Sequence, residues 1–182
     1  MNLNKSVLFG VILAGLATIS LSASAGGYAS LSIGESSIEQ SFEGENFDLG
    51  DSNTLFLTAG YKFNDNFAIE AGYHNFSEVN YQDDWHLGAD GVSVALVASA
   101  AVGDSVDMHF ALGNMYWTAV DQDRADFETF SFKGSDLFYR LGASFSATET
   151  ISLTVDYSIL EFSSYAGDLD GDTLSVGMRI DF

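Results

Sequence analysis

The chain predicts an all-β fold, an eight-stranded antiparallel up-and-down transmembrane β-barrel, and three observations carry that expectation. First, apolar and small or polar side chains alternate with a period of two, the spacing of a strand and not of a helix. Second, the connections alternate strictly between tight and long. Third, one face of each segment is continuously apolar, while the other is built of Gly, Ala, Ser and Thr with a few charges. Strands of ~9–11 residues tilted near 45° cross a bilayer with such a face toward lipid.

Residues 1–25 read as a cleaved secretory signal. Lys5 gives a basic start, Val7–Ile19 an apolar run, and Ala23-Ser24-Ala25 a small-residue cleavage site. The run falls short of the ~20 residues that a spanning helix needs. Residues 26–182 are then one barrel domain. The chain has no cysteine, so it has neither a disulfide framework nor a lipid-anchored cysteine, and no proline or linker marks a second domain. A mean hydropathy of +0.12 beside a net charge of −20 fits apolar and acidic residues segregated in space.

The first expected strand, Tyr28–Gly34, sets Ala29, Leu31 and Ile33 against Tyr28, Ser30 and Ser32. Thr54–Phe63 and Phe67–Phe76 form the clearest hairpin, joined by Asn64-Asp65-Asn66, three residues with turn chemistry. Gly91–Gly103 and Val106–Trp117 flank the tight turn Gly103–Ser105. Asp136–Ser146 and Ile151–Phe162 flank Ala147–Glu149, and Thr173–Phe182 completes the set. The long connections are Glu35–Asn53, Ser77–Asp90, Thr118–Gly134 and Ser163–Asp172. Tight turns on the periplasmic side and long loops outside are the habit of outer-membrane barrels, whose closure removes the edges that hydrocarbon does not tolerate. Phe63, Phe67, Phe145 and Phe182 fall on the outward face near the tight turns, and Tyr73, Tyr116 and Tyr139 near the long loops, as two interfacial girdles. A soluble barrel or lipocalin would leave the Ser/Thr/Gly/Ala face as its wetted surface, with few charges to solvate it.

Of the 26 acids, 17 lie in the four long connections, opposed only by Arg124 and Lys133. Nucleic-acid binding is excluded by that charge and by the lack of a basic patch. Lys62, Arg140 and Arg179 instead sit on inward strand positions. An eight-stranded barrel has an interior just wide enough to be filled by side chains, and buried ions there need partners. A lumenal network of Lys62, Glu70, Arg140, Asp156 and Arg179 is therefore expected. Pairing Ser146 with Thr150 would set Arg140 opposite Asp156, an eight-residue final loop would bring Arg179 to Asp156, and Lys62 would be diagonal to Glu70.

Asp168-Leu169-Asp170-Gly171-Asp172 echoes a calcium loop but lacks the twelve-residue spacing and terminal Glu, leaving divalent cations as possible partners of the acidic loops. No metal site, cofactor or catalytic residue is expected. His74 and Ser77 are separated by two residues, unlike the His-x-Ser of an outer-membrane lipid A deacylase, and His109 reads as a lumen filler. Trp85 and Trp117 read as loop or interfacial packing.

The runs FAIEAGYHNF, GNMYW and the terminal SVGMRIDF resemble the OmpA-type outer-membrane β-barrel family across essentially all of residues 26–182. The resemblance implies a Gram-negative outer membrane, contact with its lipid and lipopolysaccharide, and recognition of the last strand, ending in Phe182, by the barrel assembly machinery. Full-length OmpA proteins continue into a peptidoglycan-binding domain, so cell-wall anchoring is not carried over and a barrel-only member is expected. Three functions follow: a non-enzymatic structural or surface-interaction barrel acting through its loops, a narrow channel or conduit for small hydrophobic molecules of the OmpW kind, and a lipid A-modifying enzyme.

Overall fold

The computed structural model describes residues 26–42, 45–82, 85–123, 128–164 and 167–182; the expected signal, residues 1–25, lies outside them. Eight strands follow one another: β1 Gly27–Phe42, β2 Glu45–Lys62, β3 Phe67–Gln82, β4 Trp85–Ala101, β5 Val106–Asp123, β6 Glu128–Ser146, β7 Ile151–Ser164 and β8 Gly167–Asp181. Each pairs antiparallel with its chain neighbours and β8 returns to β1, closing the barrel. At the seam Phe182 donates its amide to the Gly27 carbonyl at 2.9 Å and accepts the Gly27 amide at 3.1 Å.

Two of the three tight turns are closed by short side chains that stand in for backbone. Asn64 Oδ1 accepts the amides of Asn66 and Phe67, both at 2.9 Å, while the Phe63 amide reaches the Phe67 carbonyl at 2.8 Å. Thr148 Oγ1 does the same for Ile151 at 2.9 Å, and the Ala147 amide reaches the Ile151 carbonyl at 2.8 Å. The third turn thus closes on Ala147 and Ile151, one position beyond the expected Ser146–Thr150 pair. Ser146 pairs with Ser152 instead, and every later partner on β7 moves by two.

The strands run further than ten residues, from 14 in β7 to 19 in β6. Most of the expected long loops are strand: Phe42 pairs with Glu45, Gln82 with Trp85, Asp123 with Glu128 and Ser164 with Gly167. Beyond the hydrocarbon a strand needs pairing but no apolar face, so the alternation that marks the membrane part fades while the ladder continues. The Asp168–Asp172 segment accordingly lies extended in β8, paired with Ser37–Ser41 of β1, and does not form a calcium-type loop.

Two ladders stop early. The β2–β3 ladder spans Thr54/Phe76 to Lys62/Ala68 and the β6–β7 ladder Phe138/Leu160 to Ser146/Ser152. Above them, among the described residues, the extension consists of two four-stranded sheets, β7-β8-β1-β2 and β3-β4-β5-β6. The Ser52 hydroxyl donates to the Ser77 carbonyl at 2.6 Å where β2 and β3 part.

Leu31, Ile33, Val94, Leu96, Leu112, Leu141, Leu153 and Val176 all face outward and exposed, Leu96 at 64%. Leu96 stands between Ile69 and Leu112 in the adjoining ladders, well inside this band. Leu96→Arg should therefore lower folding stability by about 2–4 kcal/mol, the cost of a cation on the lipid face near the midplane. Urea unfolding of the protein folded into lipid vesicles measures it, and an unchanged midpoint would place that face away from lipid.

The barrel interior as the candidate functional site

The inward side chains form two stacked layers. Nearer the tight turns lies a charged layer. Arg140 on β6 donates from Nη2 to Glu70 Oε1 on β3 at 2.7 Å, across the lumen. Tyr28 on β1 donates its hydroxyl to the other oxygen of Glu70 at 3.0 Å. Asp156 on β7 lies 3.7 Å from Arg140 Nε and forms a 2.6 Å bond with His109 Nε2 on β5. At the mouth beside the tight turns Asp181 joins Lys62 Nζ and Arg179 Nε, the latter at 3.1 Å. Both cations lie over the Tyr28 ring, with Lys62 Nζ 5.9 Å and the Arg179 guanidinium carbon 5.4 Å from its centroid.

Two glycines make this layer possible. A Cβ on Gly60 would fall 2.1 Å from the Tyr28 ring, and one on Gly142 would fall 2.1 Å from Asp156 Oδ1 and 2.5 Å from His109 Nε2. Any side chain at either position would displace the hub of one ion cluster.

Above it sits an apolar layer of Phe56, Phe76, Met115, Trp117, Phe138 and Leu160, each less than 8% exposed. His74 lies within it, edge-on to Phe56 and Phe138 at centroid distances of 4.9 and 5.7 Å, with Nε2 2.7 Å from Ser93 Oγ. Trp117 is no loop residue: its Nε1 donates to Asp136 Oδ2 at 2.6 Å inside the wall. The signal for this layer was present in the sequence as large apolar residues interrupting the small and polar face. Trp85 begins β4.

Of the five expected network residues, Glu70, Arg140 and Asp156 meet in one cluster and Lys62 and Arg179 meet in another, around Asp181. Three details differ from expectation. Arg140 stands opposite Ser158, with Asp156 opposite Gly142, because of the Thr148-anchored turn. Arg179 pairs with Ser152, four residues below the Ser175 that faces Asp156, because Gly167–Asp172 joins the ladder and shifts β8 along β7. Lys62 is diagonal to Glu70 in the ladder but turns to Asp181, which lies nearer the mouth. Tyr28, His109 and Asp181 are the members that spacing alone did not bring in.

The outward aromatics lie where the alternation put them. Phe63 and Phe67 are exposed beside the first turn, Phe145 is exposed beside the third, and Tyr116 and Tyr139 face outward higher up. Tyr73 and Tyr116 border an apolar groove of about 400 Å³ on the outer wall, floored by Ala59 and Ala71. The Phe182 ring covers Gly27 at the seam.

Ser144, His109 and Asp156 line up like a hydrolytic triad, with Ser144 Oγ 3.4 Å from His109 Nδ1. Ser144 is completely buried and is not among the residues lining the small cavity of the charged layer. His74 and Ser77 are apart in function as in position, since His74 bonds Ser93 and Ser77 accepts from Ser52. A cavity of about 30 Å³ lies within the charged layer.

The sequence matches the family described as outer membrane protein beta-barrel domain over residues 8–182. No curated protein matches it in sequence. Among solved structures the fold is similar to Neisserial surface protein A, with a TM-score of 0.73 at 13% identity over 87% of this chain and 98% of that one. OprG from Pseudomonas aeruginosa gives 0.60 at 14% over 87% and 97%. Ail, the attachment invasion locus protein of Yersinia pestis, gives 0.56 at 16% over 85% and 99%.

Arg140→Ala should leave Glu70 and Asp156 as buried carboxylates short of their cation, lowering stability by about 3–5 kcal/mol. Asp156→Ala should act in the same direction through His109 and Arg140. Thermal and urea unfolding in detergent measure both, and unchanged midpoints would mean that the cluster contributes nothing to holding the barrel.

Proposed function

The chain belongs to the outer membrane protein beta-barrel domain family and is a bacterial outer-membrane barrel, and from that premise we propose that it is a non-enzymatic structural and surface-interaction protein whose lumen does not conduct. The observation that carries this reading is the filled interior. A charged layer and an apolar layer lie in series along the axis, and the cavity within the charged layer is about 30 Å³, room for water molecules but not for a hydrated ion in transit. Interaction is assigned to the extracellular extension, because that is where acids collect in excess over Arg124 and Lys133. A surface of one sign repels anions and favours cationic partners.

Export by a signal in residues 1–25, recognition of the strand ending in Phe182 by the barrel assembly machinery, and contact with outer-membrane lipid and lipopolysaccharide belong to the same reading. Divalent cations would reach the acids of the extension from outside. The competing function is a conduit for small hydrophobic molecules, favoured by the apolar layer of Phe56, Phe76, Trp117 and Phe138 below the point where β2 parts from β3 and β6 from β7. Such a molecule would still meet the ion clusters before reaching the periplasm. A lipid A-modifying activity ranks lowest, since neither His/Ser arrangement of the interior is open to substrate.

In planar bilayers the refolded protein should give no sustained single-channel openings. Regular conductance steps from the wild-type chain would overturn the closed lumen and favour the channel.

A further inference from the structure

We propose that the outer wall across β2, β1, β8 and β7 holds a lipid with a primary ammonium head, seated between Glu35 and Asp172 with an acyl chain along the apolar wall below them. A groove of about 880 Å³ lies there, within the roughly 300–1,000 Å³ of sites that take one small ligand. It is amphipathic along the barrel axis. Ile33 pairs with Leu55 on one side and Val176 on the other, and this exposed row is the apolar end. In the next outward row, further from the tight turns, Glu35 stands between Asn53 and Leu174. In the row beyond, Ser37 stands between Asp51 and Asp172. The groove therefore spans the line where the apolar band gives way to the acidic extension.

Charge selects the head. Glu35 and Asp172 are exposed, and no lysine or arginine is among the residues lining the groove. The Tyr157 hydroxyl is hydrogen-bonded to Asp172, and Ser37 Oγ donates to Asp51 Oδ1 at 2.9 Å, so neutral donors hold two of the acids without cancelling their charge. Diagonal neighbours on adjacent strands stand roughly 7–8 Å apart, which lets Glu35 and Asp172 close on one small cation from two sides. A divalent ion is the poorer fit. Calcium takes about 6–8 oxygen ligands, and among the described residues no group of three or more acidic or histidine side chains could hold a metal. A free cation would also leave the row of Ile33, Leu55 and Val176 uncovered. A primary ammonium offers three donors to the carboxylates, and the Asn53 amide is placed to donate to a phosphate beside it.

This goes beyond the proposed function, because the groove is on the outside of the wall and its lipid would sit there in a silent or a conducting barrel.

The test is native mass spectrometry of the protein released from phosphatidylcholine vesicles that hold a minor share of phosphatidylethanolamine, in buffer free of divalent cations. The quaternary ammonium of phosphatidylcholine has no N–H to donate, so it serves as the reference. Expected is an adduct with phosphatidylethanolamine favoured about fivefold over its counterpart once vesicle composition is allowed for, the scale of two exposed ion pairs. Glu35→Gln together with Asp172→Asn should abolish that preference. Val176→Trp keeps both carboxylates but fills the apolar end, and should lower retention of the lipid altogether. Equal retention of the two lipids by the wild type overturns the proposal, as does a preference that survives the double substitution. Unaltered retention in Val176→Trp would overturn it too, in favour of a contact made by surface charge alone.

Discussion

Within hydrocarbon no backbone amide or carbonyl has water to turn to, and the rest of this structure depends on that constraint. It forces the sheet to close, which is why Gly27 and Phe182 meet and β8 returns to β1. Closure then fixes which way each side chain points. Leu31, Leu96, Leu141 and Val176 are free to face lipid because their neighbours face in, and those neighbours must fill a space whose width the number of strands has set.

The interior meets that demand in two ways. Near the tight turns it uses ions in two clusters, Arg140 with Glu70 and Asp156, and Lys62 and Arg179 with Asp181, which balance only together as three cations against three carboxylates. Above them it uses aromatic and aliphatic volume. Gly60 and Gly142 give up their side chains so that Tyr28, His109 and Asp156 can reach the axis. Arg140, Glu70 and Asp156 are buried, so removing one of them leaves a charge there short of its partner.

The extension opposite the tight turns answers to different physics. Released from the need for an apolar face, the strands continue as polar ladders, and the single barrel gives way to two four-stranded sheets once the β2–β3 and β6–β7 ladders stop. Most of the negative charge of the chain is carried there. The same chain thus presents an apolar outward band and, beyond it, a strand extension rich in acidic residues.

The sequence by itself determined the strand number, the up-and-down order, the three tight turns and the side each residue faces. All of these are local: a period of two, and Asn64 or Thr148 bonding the amides two and three residues on. It also placed Lys62, Glu70, Arg140, Asp156 and Arg179 on the lumenal face, because charges do not belong on the lipid side. Which of them touch was decided only by the tertiary structure. A register shift of two on β7, set by the Thr148-anchored turn, and of four on β8, set by how far the polar ladder with β7 continues, changes which residues stand opposite one another, although Arg140 still reaches Asp156. Tyr28 and His109 joined the clusters for the same reason, since groups far apart in the chain become neighbours only once the sheet has closed around them.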